Sequence, residues 1–153
     1  MKLDQKDYQI LKLLQEDANI TNKEIAEKTG LTITPVYERV KKLSTYGIIK
    51  NKVFLLNRKK LGLNLIVLIS VSLKEHMKEN VNHFMKEVVK HNEVVECFHL
   101  TGTFDFQLKV YVGDMDEYQK FILNKLSVIK NIGHIESYFV MTEVKNTTSL
   151  PIR

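Results

Sequence analysis

Residues 21–47 read TNKEIAEKTGLTITPVYERVKKLSTYG, and this stretch decides the organisation of the first third of the chain. Thr21 and Glu24 stand at capping-box spacing, in which the hydroxyl and the carboxylate each satisfy an orphan backbone donor at a helix start. Ile25 and Ala26 then open a short helix, and Gly30 stops it. Leu31 follows as a buried spacer and Thr32 as a second N-cap. Pro35 therefore falls in the first turn of the next helix, where its missing N–H removes no intrahelical bond. That helix is expected to run to about Tyr46 and to end at Gly47. Two short helices joined by a tight glycine turn form a helix-turn-helix, which either packs on itself or lays its second helix in a DNA major groove.

Upstream, Leu3, Ile10, Leu11, Leu13 and Leu14 recur at three- and four-residue spacings over Asp4 to Glu16, which predicts an amphipathic helix preceding the pair. Within the last of the three helices, a step of about 100° per residue gathers Ile33, Val36, Val40 and Leu43 on one side. Thr34, Glu38, Lys41 and Thr45 gather opposite, flanked by Tyr37 and Lys42, so the outer face is polar and cationic.

Charge sharpens this reading. The 153-residue chain carries 23 Lys and Arg against 18 Asp and Glu, a net +5. Residues 1–60 hold 13 bases against 7 acids, and residues 61–153 hold 10 against 11, so the halves are +6 and −1. From Arg39 to Lys60 there are eight bases and no acid. Such a block, directly after a polar helix face, is placed where phosphate contacts belong. One cysteine excludes a disulfide framework, and no stretch approaches the ~20 apolar residues of a membrane span. A soluble, cytoplasmic protein with no membrane partner is expected.

The second half alternates. Leu63 to Leu73 reads as a buried strand, His76 to His91 as a helix, Val94 to Leu100 and Phe106 to Val112 as strands around Gly102, Asp114 to Val128 as a helix, and Ile135 to Val144 as a last strand. The order βαββαβ is the split βαβ, ferredoxin-like arrangement: an antiparallel sheet with both helices on one face and the other left for a partner. The expected fold is thus α+β, a winged-type helix-turn-helix of three helices followed by a ferredoxin-like domain. The divisions are 1–50, a basic linker or hinge strand at 51–61, and 62–153.

The run Leu3 to Ile49, with TNKEIAEKTGLTITPVYERVKKLSTYGII at its centre, resembles the DNA-binding domain of the leucine-responsive and asparagine-responsive regulators, the Lrp/AsnC or feast/famine family. ECFHLTGTFDFQLKV at 96–110 and YFVMTEVK at 138–145 are similar to that family's ligand-sensing domain. The resemblance implies a transcription regulator that binds double-stranded DNA, forms homodimers that assemble further to octamers, and binds an amino acid or related metabolite between subunits. In the family the turn between the second and third strands is Gly-Asp/Asn-Tyr/Phe-Asp; here it is Gly102-Thr103-Phe104-Asp105, with Thr103 departing from the acid or amide. Carried over by position, the effector set is Leu100, Thr101, Gly102, Thr103, Phe104, Asp105, Met115, Tyr138 and Val140. The residues of the turn permit the same reading unaided. Gly102 allows close backbone approach, N–H groups and Thr hydroxyls suit a carboxylate, and Asp105 suits an ammonium. A plain hairpin turn fits them as well.

For DNA, Thr34, Tyr37, Glu38 and Lys41 are the expected groove contacts, and Arg39, Lys42, Lys50 and Lys52 the expected phosphate contacts. Cys97 and His99 share a strand face, with His83, His91 and His134 elsewhere, but a lone cysteine on a buried strand reads as a small core residue and no metal is expected. No matched nucleophile and base, no phosphate-binding loop and no paired carboxylates occur, so no catalytic residue, enzyme activity or cofactor is expected beyond the amino-acid effector. RNA on the open sheet is disfavoured by the slightly acidic half-chain. The competing reading from another class is a metabolite-binding oligomeric scaffold in which the helix-turn-helix only pairs subunits.

Overall fold

The computed structural model describes residues 2–152 and divides into two compact units, one running to Leu55 and taking in the segment from Lys145, the other Leu56–Val144. The first unit holds three helices: α1 (Gln5–Glu16), α2 (Asn22–Thr29) and α3 (Ile33–Thr45). Both of the first two start on capping boxes. Asp4 and Asp7 cap each other's backbone N–H at α1, and Thr21 and Glu24 do so at α2. Gly30 ends α2 at φ 67°, a left-handed geometry that glycine adopts without strain. Past the end of α3, Gly47 at φ 70° lets the Ile48 N–H return to the Leu43 carbonyl. Ile10, Ile25, Ala26, Val36 and Leu43 close the core.

Some local expectations shift. Thr32 caps α3 by backbone conformation alone, without a side-chain hydrogen bond. Ile33, expected inside, is 52% exposed because it lies in the first turn, one turn short of Val36, where burial begins. The linker expected as a strand at 51–61 forms none within this chain. Residues 51–57 are exposed and irregular, and a 3₁₀ turn, Arg58–Leu61, follows. Residues 145–152, expected with the second domain, pack with the first unit, where the Leu150 N–H donates to Gln15 Oε1 at 2.7 Å and Gln15 Nε2 donates back to the Leu150 carbonyl.

In the second unit, β1 (Leu65–Leu73), β2 (Val94–His99), β3 (Phe106–Val112) and β4 (Ile132–Phe139) form an antiparallel sheet in the order β2-β3-β1-β4. Helices α4 (Lys78–Val88) and α5 (Met115–Phe121), the latter continued by a π-helical turn Ile122–Leu126, complete the βαββαβ order. Alternate residues Val67, Ile69, Val71 and Leu73 of β1 and Phe106, Leu108, Val110 and Val112 of β3 form one core with Phe84, Val88, Phe121 and Leu126. Period-two burial on β3 fixes which sheet face the helices cover, while on β1 Ile66 and Ser70 are buried on the other face as well. Strand β4 starts three residues earlier than expected, at 132 rather than 135, and ends at Phe139 rather than Val144. Asn131 turns the chain with φ 70°, and Gly133 packs where a Cβ would come within 3.2 Å of the Lys74 nitrogen.

Hydrogen bonds from the Asp7 and Lys6 backbone N–H groups and from the Arg39 guanidinium hold the Asp4 carboxyl below its ordinary value of 3.8, with the Asp7 bond the largest cause, and Thr21 does the same for Glu24 below 4.5. A lowered carboxylate pKa adds stability that is complete above the ordinary value and is lost as pH falls through the folded-state value. The helical circular dichroism signal is therefore expected to weaken on acidification below about pH 4. The double variant Asp4→Asn, Glu24→Gln should flatten that acid limb.

Candidate nucleic-acid interface and ligand site

On α3, Thr34, Tyr37, Glu38, Lys41 and Lys42 are all exposed, Tyr37 at 51%. Lys50 and Lys52 follow on exposed chain. Among the described residues none of Glu38, Lys41, Lys42, Lys50 or Lys52 enters an ion pair, so these charges face solvent unspent. Thr45, on the same side, is internally committed: its hydroxyl donates to the Lys41 carbonyl.

Arg39 behaves otherwise. Its Nη1 donates to Asp4 Oδ2 at 2.7 Å and to Asp7 Oδ1 at 2.6 Å, and the Asp7 side chain is only 5% exposed. Arg39, expected as a phosphate contact, clamps α3 to the start of α1. The two carboxylates raise its pKa further and keep it charged. Lys6 makes a matching tie, its ammonium donating to the Thr29 carbonyl at the end of α2. The signal for Arg39 was present in the sequence: it is the one arginine before Arg58, in a segment whose other bases are lysines, and a guanidinium bridges carboxylates in a way an ammonium does not.

In the second unit the turn Leu100–Asp105 lies at one end of the sheet. Gly102 has φ 132°. Asp105 holds this end together. Its Oδ2 accepts from the Leu73 N–H at 2.7 Å, its Oδ1 lies 3.0 Å from His76 Nε2, its own N–H donates to the Val71 carbonyl, and its carbonyl accepts from the Leu100 N–H. Both carboxylate oxygens are engaged within one chain, so Asp105, expected to attract an ammonium, also anchors this end of the sheet. Leu100, Thr101, Gly102 and Thr103 are exposed, and Phe104 stacks with His134 at 6.1 Å.

Met115, Tyr138 and Val140 lie at the other end. Phe106 pairs with Val71 and Val112 with Leu65, so the length of β3 separates the Gly102 turn from Met115, about 20 Å at ~3.3 Å per residue. Tyr138 pairs with Leu68, and the Val140 N–H donates to the Ile66 carbonyl, toward that far end. One chain therefore does not gather the nine expected residues. Cys97 packs half-buried against the core, where burial pushes its thiol pKa up, and His99 stacks on Phe106 at 4.8 Å. Among the described residues no three metal-binding side chains gather, and no helix is long and apolar enough to cross a membrane.

A three-helix unit that presents an unpaired polar and cationic helix face, joined to an α/β unit of the small-ligand-binding kind, defines a DNA-binding regulator. The chain belongs to the Lrp/AsnC family: the family's ligand-binding domain matches residues 66–150, and a winged helix-turn-helix DNA-binding domain matches residues 3–50. The glutamate uptake regulatory protein of Zymomonas mobilis is 36% identical over 151 residues, covering 99% of this chain and 92% of that protein. The leucine-responsive regulatory protein of Escherichia coli is 35% identical over 151 residues, with the same two coverages of 99% and 92%. The crystal structure of a transcriptional regulator from Neisseria meningitidis in complex with L-Met superposes with a TM-score of 0.93 at 36% identity, over 98% of this chain and 97% of that one. The protein is a transcriptional regulator and not an enzyme.

Arg39→Ala leaves the buried Asp7 carboxylate without its cation and should cost roughly 2 kcal/mol in urea unfolding of the first unit. Arg39→Lys should recover only part of that loss. Asp105→Ala, which strips the Leu73 N–H of its acceptor, should cost about 1–2 kcal/mol in the second unit.

Proposed function

We propose that the protein reads duplex DNA as a dimer, with each α3 in a major groove, and that an amino-acid-like ligand held between subunits shifts which assembly is populated, in the cytoplasm. The observation that carries the DNA reading is the α3 face, unpaired outward and clamped inward by Arg39. Thr34, Tyr37, Glu38 and Lys41 take the base-edge and groove roles, and Lys42, Lys50 and Lys52 the phosphates. Arg39 acts by positioning. A two-fold dimer places the two helices on half-sites about 34 Å apart.

Self-association is supported by surface that a single chain leaves bare. Val53, Phe54, Leu55 and Leu56 are 65–82% exposed in succession, and Phe98 and Tyr138 are exposed on the sheet face opposite the helices. Gln107, on that face, keeps its Nε2 buried without an acceptor. Met77, Val89, Leu123 and Val128, exposed around α4 and α5, supply a second apolar surface for growth from dimer to octamer. The effector reading is supported by the split set itself: the Gly102 turn of one subunit and the Met115, Tyr138 and Val140 end of another make a complete site only between chains. The Neisseria relative was crystallised with L-Met, which favours an amino acid as the class of ligand.

A mobility-shift titration with genomic fragments tests the DNA reading. Lys50→Ala should weaken binding evenly across sequences and lower the log-affinity against log-salt slope by about one per contact removed. Lys41→Ala should instead weaken discrimination between fragments. Affinity indifferent to both salt and Lys41→Ala would leave only the scaffold reading. For the effector, thermal melting against the twenty amino acids should give a shift that Thr103→Val diminishes.

A further inference from the structure

One residue of α3 fits neither the core nor the polar face. Leu31 and Val40, before and after it, pack against the core of the first unit, whereas Ile33 stays 52% exposed. Tyr37, one turn further on, is exposed as well. Residues four apart lie one above the other on a helix, so the two make a short apolar strip beside the exposed Thr34. Capping does not account for the isoleucine, because the N-cap is Thr32. A lone exposed isoleucine is ordinary on a protein surface. This one stands at a particular place, the first position of α3. Helical side chains lean toward the N-terminus of their helix, so a side chain at the first position projects past the helix start. That is the end of a recognition helix that meets base edges in a major groove. The adjoining face carries Lys41 and Lys42, exposed and, among the described residues, outside every ion pair. The major groove presents hydrogen-bonding groups at every base pair but only one apolar group, the thymine C5-methyl. An apolar side chain aimed into it therefore has one favourable partner.

We propose that Ile33 is a specificity-determining residue, packing on the C5-methyl group of one thymine in each half-site while Tyr37 shields the contact from water. This rests on the reading of α3 as the helix that enters the groove. It adds a base that the polar residues of α3 do not select, since a hydrogen-bonding side chain does not detect a methyl group. Cytosine carries only a hydrogen at that ring position, so the contact favours thymine over it. Removing one methyl group from water is worth about a factor of four in affinity, and the two contacts of a dimer together roughly tenfold or more.

The test removes the methyl groups and nothing else. A genomic fragment retained in the mobility-shift titration is amplified once with thymidine triphosphate and once with deoxyuridine triphosphate, and the full-length chain is titrated with both duplexes at one salt concentration. The wild type should bind the uracil duplex roughly tenfold more weakly. Ile33→Ala should lose affinity for the thymine duplex and bind the two equally, with its melting temperature unchanged, whereas Ile33→Val should keep most of the preference. Lys50→Ala should weaken both duplexes alike and leave their ratio in place. Equal binding of the two duplexes by the wild type, or a preference that survives in Ile33→Ala, would overturn the role of Ile33 and leave the DNA reading standing. Binding of neither duplex would overturn both.

Discussion

The positions of the outward groups on α3 depend on one cluster, the Arg39 guanidinium set between Asp4 and Asp7. Asp7 is almost fully buried, so removing the guanidinium would leave a buried carboxylate without its partner, while Arg39 would swing freely without the carboxylates. The same two acids also cap α1. Helix start and interhelical clamp are thus one set of atoms, so the angle at which α3 presents Tyr37, Glu38 and Lys41 is tied to the integrity of the first turn of α1. In the second unit Asp105 plays a comparable part. Through its carboxylate, N–H and carbonyl it joins the end of β1, the β2–β3 turn and His76.

Local chemistry was legible in the sequence. The Thr21–Glu24 capping box, the Gly30 and Gly47 stops and the βαββαβ order all appear as read, because each is written within a few neighbouring residues. What escaped reading depends on partners far along the chain. The role of Arg39 is set by acids 32 and 35 residues away, and the tail at Leu150 is set by Gln15, 135 residues away. Strand β4 began early because its start is governed by the backbone of Lys74 and not by its own hydrophobic pattern.

The candidate ligand positions show a different limit. The turn suggests Asp105 as a group for an ammonium, and its place in sequence does not show that its two oxygens meet Leu73 and His76, which adjacency does not bring near.

The return of the chain from Lys145 to the first unit has a practical consequence. The DNA-binding unit is discontinuous in sequence, so a single cut in the linker does not yield the two units as they exist. A fragment ending near Leu55 would lack Leu150 and Ile152, leaving Leu11, Leu14 and Ile49 with a vacated apolar groove. Exchanging sensing modules between regulators of this kind is accordingly a two-ended graft, in which the donor must be spliced into the host at both junctions.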